Sequence, residues 1–113
     1  MAITLEKAGG VQIVAIEGRM DFTSSAELRS AVETVVAAGE RKLVFDLRDL
    51  QYISSSGLSV FVQAAKLVQP DGGKVVFCSM RSHVRNVFDM VGFFGIFDAY
   101  ATREEALQAL SAI

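Results

Sequence analysis

Short runs rich in β-branched residues alternate along this chain with stretches whose apolar residues recur at helical spacing, and that alternation limits the fold more than any other feature. It begins with two apolar segments, Ile3 to Leu5 and Val11 to Ile16, separated by Gly9-Gly10, which read as two strands joined by a short turn. Ser24 followed by Glu27 has capping-box spacing, and Leu28, Ala31, Val32, Val35 and Val36 then fall on one helical face up to a stop at Gly39. Lys42 to Leu47 has strand composition. Gly57 to Gln69 is a helix apolar on nearly every face, so protein must cover most of it. Pro70-Asp71-Gly72-Gly73 turns the chain into a strand over Lys74 to Cys78. Ser79 is placed to cap a helix carrying Val84, Val87, Phe88 and Val91, closed by Gly92. A short strand over Ile96 to Ala99 and a helix opened by a second capping-box pair, Thr102 and Glu105, complete the order ββαβαβαβα. Strands alternating with about four helices predict an α/β fold, and the initial hairpin makes its sheet mixed.

Composition narrows the functions such a fold can carry. The chain has 113 residues and one proline, with no low-complexity tract or linker, so residues 1–113 are expected to form a single domain. Apolar residues make up 51% and charged residues 21%, which excludes intrinsic disorder. A formal charge of −2 lacks the electrostatic footprint of a dedicated nucleic-acid binder. One Cys and one His cannot form an internal disulfide or a zinc site by themselves. The start MAITLEKAGG lacks the apolar core of a signal peptide, and no apolar run approaches the ~18 residues of a membrane span. The expected setting is the reducing cytoplasm, without membrane attachment, metal or cofactor.

The most unusual segment is polar: Ser54-Ser55-Ser56, set between two apolar stretches where a strand end meets a helix start. In open α/β sheets such junctions are where binding and chemistry usually sit. Between Phe45 and the triplet, the reading is a strand that ends and a loop that carries Asp46 and Asp49. Serine is a favoured N-cap, which accounts for one of the three hydroxyls. The other reading is a phosphoacceptor. A phosphoserine carries about −1.5 to −2 charges, which a helix N-terminus accommodates through its free N–H groups and dipole. Spacing alone leaves both readings open.

The stretch Asp46-Leu47-x-x-Leu50-x-Tyr52-Ile53-Ser54-Ser55-Ser56-Gly57-Leu58 resembles the signature of bacterial anti-sigma factor antagonists, the STAS-domain family. Glu17-Gly18-Arg19-Met20-Asp21, the helix with Ala26-Glu27-Leu28, Val87-Phe88-x-x-Val91-Gly92 through Ile96-Phe97, and Glu104-Glu105-Ala106-Leu107 resemble further family segments in the right order. The resemblance implies a STAS domain over residues 1–113 and makes Ser56, immediately before Gly57, the phosphorylated residue, with Ser55 and Ser54 as alternates. It implies a partner-binding surface of Asp21, Ser54, Ser55, Ser56 and Gly57. Asp21 matches the family's acidic position beside the acceptor loop, although an ordinary turn aspartate explains it equally well. The family's usual residue at position 54 is aspartate. Ser54 removes that negative charge, with consequences for phosphorylation rate, kinase choice and phosphatase sensitivity, and adds a third acceptor hydroxyl.

The function implied is partner switching. The unphosphorylated protein binds an anti-sigma factor that is also a serine kinase, phosphorylation of Ser56 from ATP releases it, and a PP2C-type phosphatase restores the binding form. The protein is then a substrate rather than an enzyme, with no catalytic residue, and monomeric when free. The same switch could feed another output, such as secretion, biofilm control or a stressosome-like scaffold. A small-molecule binding module or an enzyme built on the same loop is the alternative from another class.

Other candidates are weaker. His83 is the lone histidine and no Gly-x-Ser-x-Gly elbow accompanies the serines, so a serine hydrolase is not supported and His83 reads as a surface residue. Neither Gly9-Gly10 nor Gly72-Gly73 belongs to a phosphate-binding loop motif. Cys78, inside an apolar run, reads as a small core residue. Lys74, Arg81, His83 and Arg85 make a modest basic cluster. Of Phe93 and Phe94, one is expected to enter the core and an exposed one to serve as a docking point.

Overall fold

A computed structural model describes residues 1–113. The strands are β1 (Ala2–Ala8), β2 (Val11–Met20), β3 (Lys42–Ile53), β4 (Lys74–Cys78) and β5 (Asp98–Tyr100). The helices are α1 (Ser25–Ala37), α2 (Ser55–Val68), α3 (Ser82–Met90) and α4 (Arg103–Ser111), with short 3₁₀ turns at Gln69–Asp71 and Phe93–Gly95. One five-stranded sheet runs in the order β1-β2-β3-β4-β5. The β1–β2 hairpin is antiparallel and every other pairing is parallel. The expected α/β order, ββαβαβαβα, and the mixed sheet are therefore observed.

Alternation along the strands sends side chains to two cores. On one face Val14, Ile16, Leu43, Phe45, Val75 and Phe77 pack under residues of α1, α2 and α3 in a cluster of 21 buried residues. Its centre is aromatic: the Phe61 ring lies 4.8 Å from both Phe45 and Phe77, and Phe77 lies 5.0 Å from Phe88. Such offset and edge-on pairs add to the large area these side chains bury. On the other face Val11, Ile13, Val44, Val76 and Cys78 pack under Ala106 and Leu110 of α4. Burial pushes the Cys78 thiol up to about 11, in keeping with a core residue.

Several local expectations are corrected. Strand β3 does not end at Leu47 but runs to Ile53, so Asp49 as well as Asp46 lies in the strand, and the loop expected to carry them before the triplet is absent. Register shifts against β2 place extra β3 residues between Ala15 and Glu17 and again between Gly18 and Arg19. Each bulge resets which face a side chain meets, so Leu47, Leu50 and Ile53 all reach the same core at three-residue spacing. Ser79 does not cap α3. It sits in the left-handed region at φ 62° and donates its N–H to Tyr100, while Arg81 occupies the cap position. The basic cluster divides: Lys74 pairs with Asp98 at 2.7 Å, whereas Arg81 donates to the Arg48 carbonyl at 2.9 Å and the His83 ring bonds the Gln51 carbonyl. Phe93 and Phe94 are both half-buried against Phe88, because Gly92 at φ 77° turns the chain back over it. The large exposed apolar residues nearby are Met90, Ile96 and Val91, the last of these expected on the apolar stripe of α3.

Asp46 points to the α4 side and is buried, with 8% of its side chain exposed. Arg103 at the start of α4 donates to it at 2.8 Å and also reaches Glu6 of β1 at 2.8 Å. One guanidinium thus joins α4 to a central and an edge strand. Removing it strands a buried carboxylate, a larger penalty than loss of an exposed ion pair. Arg103→Ala is expected to lower unfolding free energy by about 1–3 kcal/mol in urea titration, and Arg103→Ala with Asp46→Asn to lose less than the sum of the two single changes.

Candidate functional site

The serines stand where parallel strands β2 and β3 end side by side, with Met20 opposite Ile53. The next residue, Ser54, donates its N–H to the Met20 carbonyl at 2.8 Å, which ties the two strand ends together. Ser54 is extended (φ −92°, ψ 170°) and caps α2, its Oγ accepting from the Gly57 N–H at 3.4 Å. Ser55 and Ser56 form the first turn of the helix. Ser56 is half-buried with its Oγ 2.8 Å from Ser54 Oγ, while Ser55 is exposed and its hydroxyl has no partner within the protein. The three hydroxyls are therefore distinct: one caps, one is held beside the cap, and one is free.

Gly57 explains why α2 starts here. It is buried, and a β-carbon on it would stand 2.5 Å from Met20 Sδ and 3.0 Å from Ile53 Cγ1. The helix start approaches the strand ends this closely because no side chain intervenes. Gly57 therefore sets the height of the serines over the sheet.

Asp21 opens the neighbouring turn between β2 and α1. Its Oδ1 accepts from the Thr23 N–H at 3.0 Å, the Thr23 hydroxyl at 2.7 Å and the Ser24 N–H at 2.9 Å. Hydrogen bonds from the Ser24 backbone, then from the Thr23 and Ser24 hydroxyls, hold its carboxyl down at about 2. The expected Ser24–Glu27 capping box does not form. Ser24 is the cap residue by position, but its hydroxyl accepts from the Asp21 N–H and shares its proton between the Arg19 carbonyl at 3.0 Å and the Asp21 carboxylate at 3.1 Å. Asp21 organises its own turn, and no hydrogen bond joins it to the serines. That turn exposes Phe22, 80% accessible, a residue that sequence reasoning passed over. The only signal was an aromatic side chain between Asp21 and Thr23 in a turn otherwise built of small polar residues.

The site's chemistry is that of three hydroxyls at a positive helix end. The first turn of α2 carries no acidic residue, and its N–H groups face outward with the dipole behind them. His83 is bonded to the Gln51 carbonyl and not to a serine. A cleft of about 810 Å³ lies elsewhere: Glu6, Glu17, Asp46, Arg48, Asp49 and Arg103 line it and none of the three serines does. No helix is long and apolar enough to cross a membrane.

These features define a small α/β domain with a serine-bearing strand-to-helix junction. Residues 2–106 match the STAS domain, and the chain belongs to that family. The Bordetella bronchiseptica protein BtrV, provisionally named an anti-sigma factor antagonist, is 37% identical over 109 residues, covering 96% of this chain and 94% of that protein. The anti-sigma F factor antagonist of Paenibacillus polymyxa is 30% identical over 114 residues, covering 100% of this chain and 97% of that protein. The solved structure of the Bacillus cell fate determinant SpoIIAA in its phosphorylated form shares the fold at TM-score 0.76 and 21% identity, over 96% of this chain and 98% of that one.

Two measurements follow from this geometry. Gly57→Ala gains helix propensity of at most ~1 kcal/mol but overpacks Met20, so a net loss of about 1–2 kcal/mol in urea unfolding is expected. Asp21 should titrate near pH 2 by NMR. Because its folded pKa lies below the ordinary 3.8, its contribution to stability is full above about pH 4 and is lost as pH falls through about 2.

Proposed function

We propose that this protein is a cytoplasmic anti-sigma factor antagonist that works by phosphorylation-controlled partner switching, with Ser56 as the acceptor. The observation that carries this reading is the Ser54–Ser56 pair at the head of α2. Ser56 Oγ is held 2.8 Å from Ser54 in the first turn, a position that admits a phosphate without breaking the helix. The names of the relatives supply the process, and the cleft being lined by none of the serines favours a protein partner over a small ligand at this loop.

The unmodified protein binds an anti-sigma factor through the face made by the serines and the Asp21 turn, and the sigma factor is released. The anti-sigma factor is also the kinase. Ser56 Oγ attacks the γ-phosphorus of ATP, the bond from that phosphorus to its bridging oxygen breaks, and ADP leaves with the electron pair. The hydroxyl proton passes to a base on the kinase. The formal charge of the chain moves from −2 to about −3.5 to −4. A dianion in a packed interface has lost its water without gaining designed partners, and each ~1.4 kcal/mol of that penalty weakens binding tenfold. A PP2C-type phosphatase hydrolyses the ester and resets the switch. The protein is the substrate in both steps and catalyses neither.

Incubation with an anti-sigma factor kinase encoded in the same genome and Mg-ATP, followed by mass mapping, is expected to place a single phosphate on Ser56, with none on Ser56→Ala. By calorimetry, Ser56→Asp should bind the kinase at least about tenfold more weakly than the unmodified protein. Phosphate on Ser55 or Ser54 alone would move the acceptor, and wild-type affinity in Ser56→Asp would overturn release by charge.

A further inference from the structure

Ser54 holds two neighbours at once: its Oγ accepts from the Gly57 N–H at 3.4 Å and stands 2.8 Å from Ser56 Oγ. A serine hydroxyl has one proton and two acceptor lone pairs. Accepting from Gly57 uses one lone pair, so the proton and the second lone pair remain available to Ser56. The bond between the two hydroxyls can therefore run in either direction. Before phosphate transfer, Ser56 can donate to Ser54. Transfer removes the Ser56 proton and turns its Oγ into an ester oxygen beside phosphate oxygens that only accept. Donation by Ser54 is then the one direction left, and rotation about its Cβ–Oγ bond achieves it without releasing Gly57.

We propose that Ser54 is a positioning residue whose hydrogen bond reverses on phosphorylation, accepting from Ser56 in the unmodified protein and donating to the phosphoserine group afterwards, so that the dianionic phosphate is stabilised. This assignment rests on Ser56 being the phosphate acceptor. Aspartate at this position caps a helix as well as serine does, but its carboxylate only accepts and carries a like charge. Serine and aspartate are thus equivalent toward the helix and opposite toward the phosphate. Threonine keeps both the cap and the proton.

The test uses the full chain with phosphoserine encoded at position 56, titrated by ³¹P NMR with Ser, Thr, Ala or Asp at position 54. Because the phosphate is encoded, this measurement does not depend on which serine a kinase chooses, and mass mapping answers that separate question. The second ionisation of phosphoserine ordinarily falls near pH 6. The expected order of midpoints is Ser equal to Thr, then Ala higher, then Ser54→Asp highest and above wild type by about half a unit or more. A role confined to capping would leave Ser, Thr and Ala alike, with Ser54→Asp alone raised by its like charge, and that result overturns the assignment. A midpoint in Ser54→Asp at or below wild type overturns it equally. Where Ser54→Ala is unfolded, Ser54→Gly, which the N-cap position tolerates and which has no side-chain proton to donate, takes its place in the comparison.

Discussion

The close approach of Met20 and Ile53 to the bare Cα of Gly57 is the contact on which the serine-bearing end of the molecule depends. It joins the last residues of two parallel strands to the first turn of α2, and the Ser54 N–H to Met20 carbonyl bond closes the same junction from the backbone side. Met20 is fully buried and Ile53 nearly so, which leaves neither free to move aside for a larger residue. The serines inherit their geometry from this packing. Ser54 can cap only because α2 begins where Gly57 allows it, and Ser56 meets Ser54 only because both belong to that turn.

The sheet separates the packed supports from the serine-bearing junction. On the α1, α2 and α3 face a phenylalanine cluster spans β3, β4, α2 and α3, so α2 is anchored along its length by Phe61, Ala64 and Val68 while its N-terminus reaches the surface. On the other face Arg103 satisfies the buried Asp46 and draws Glu6 into the same ion network. The charged cleft around that network shares no serine with the junction. The phosphorylation proposed at Ser56 would therefore act at one end of α2 and leave the two cores as they are.

Much of this was legible in the chain before folding was considered. The order of strands and helices followed from local periodicity and glycine punctuation, and the serine triplet was correctly placed at a helix start. The extent of β3 was not legible, because two bulges convert its alternation into the three-residue spacing of Leu47, Leu50 and Ile53, which matches neither strand nor helix templates. The Ser24–Glu27 pattern misled because Asp21, three residues before Ser24, bonds that turn's donors and shares the Ser24 hydroxyl with the Arg19 carbonyl. The tight pairing of Phe93 and Phe94 over Phe88 was missed because it depends on a left-handed Gly92.

By itself, then, the sequence determined the α/β class, the mixed sheet, the near-neutral net charge and the presence of three hydroxyls at one junction. All of these reside in local pattern and composition, which survive without knowledge of distant contacts. Only the tertiary structure decided which serine caps, which is held beside it and which stands free. It also decided that Asp46 would be a buried ion partner of Arg103 rather than a loop carboxylate, and that Asp21 would bind its own turn. The ion pair joins residues 57 positions apart in the chain, and the serine roles depend on strand ends brought together by parallel pairing across an intervening helix. Local periodicity cannot encode either, since both depend on where the backbone returns in space.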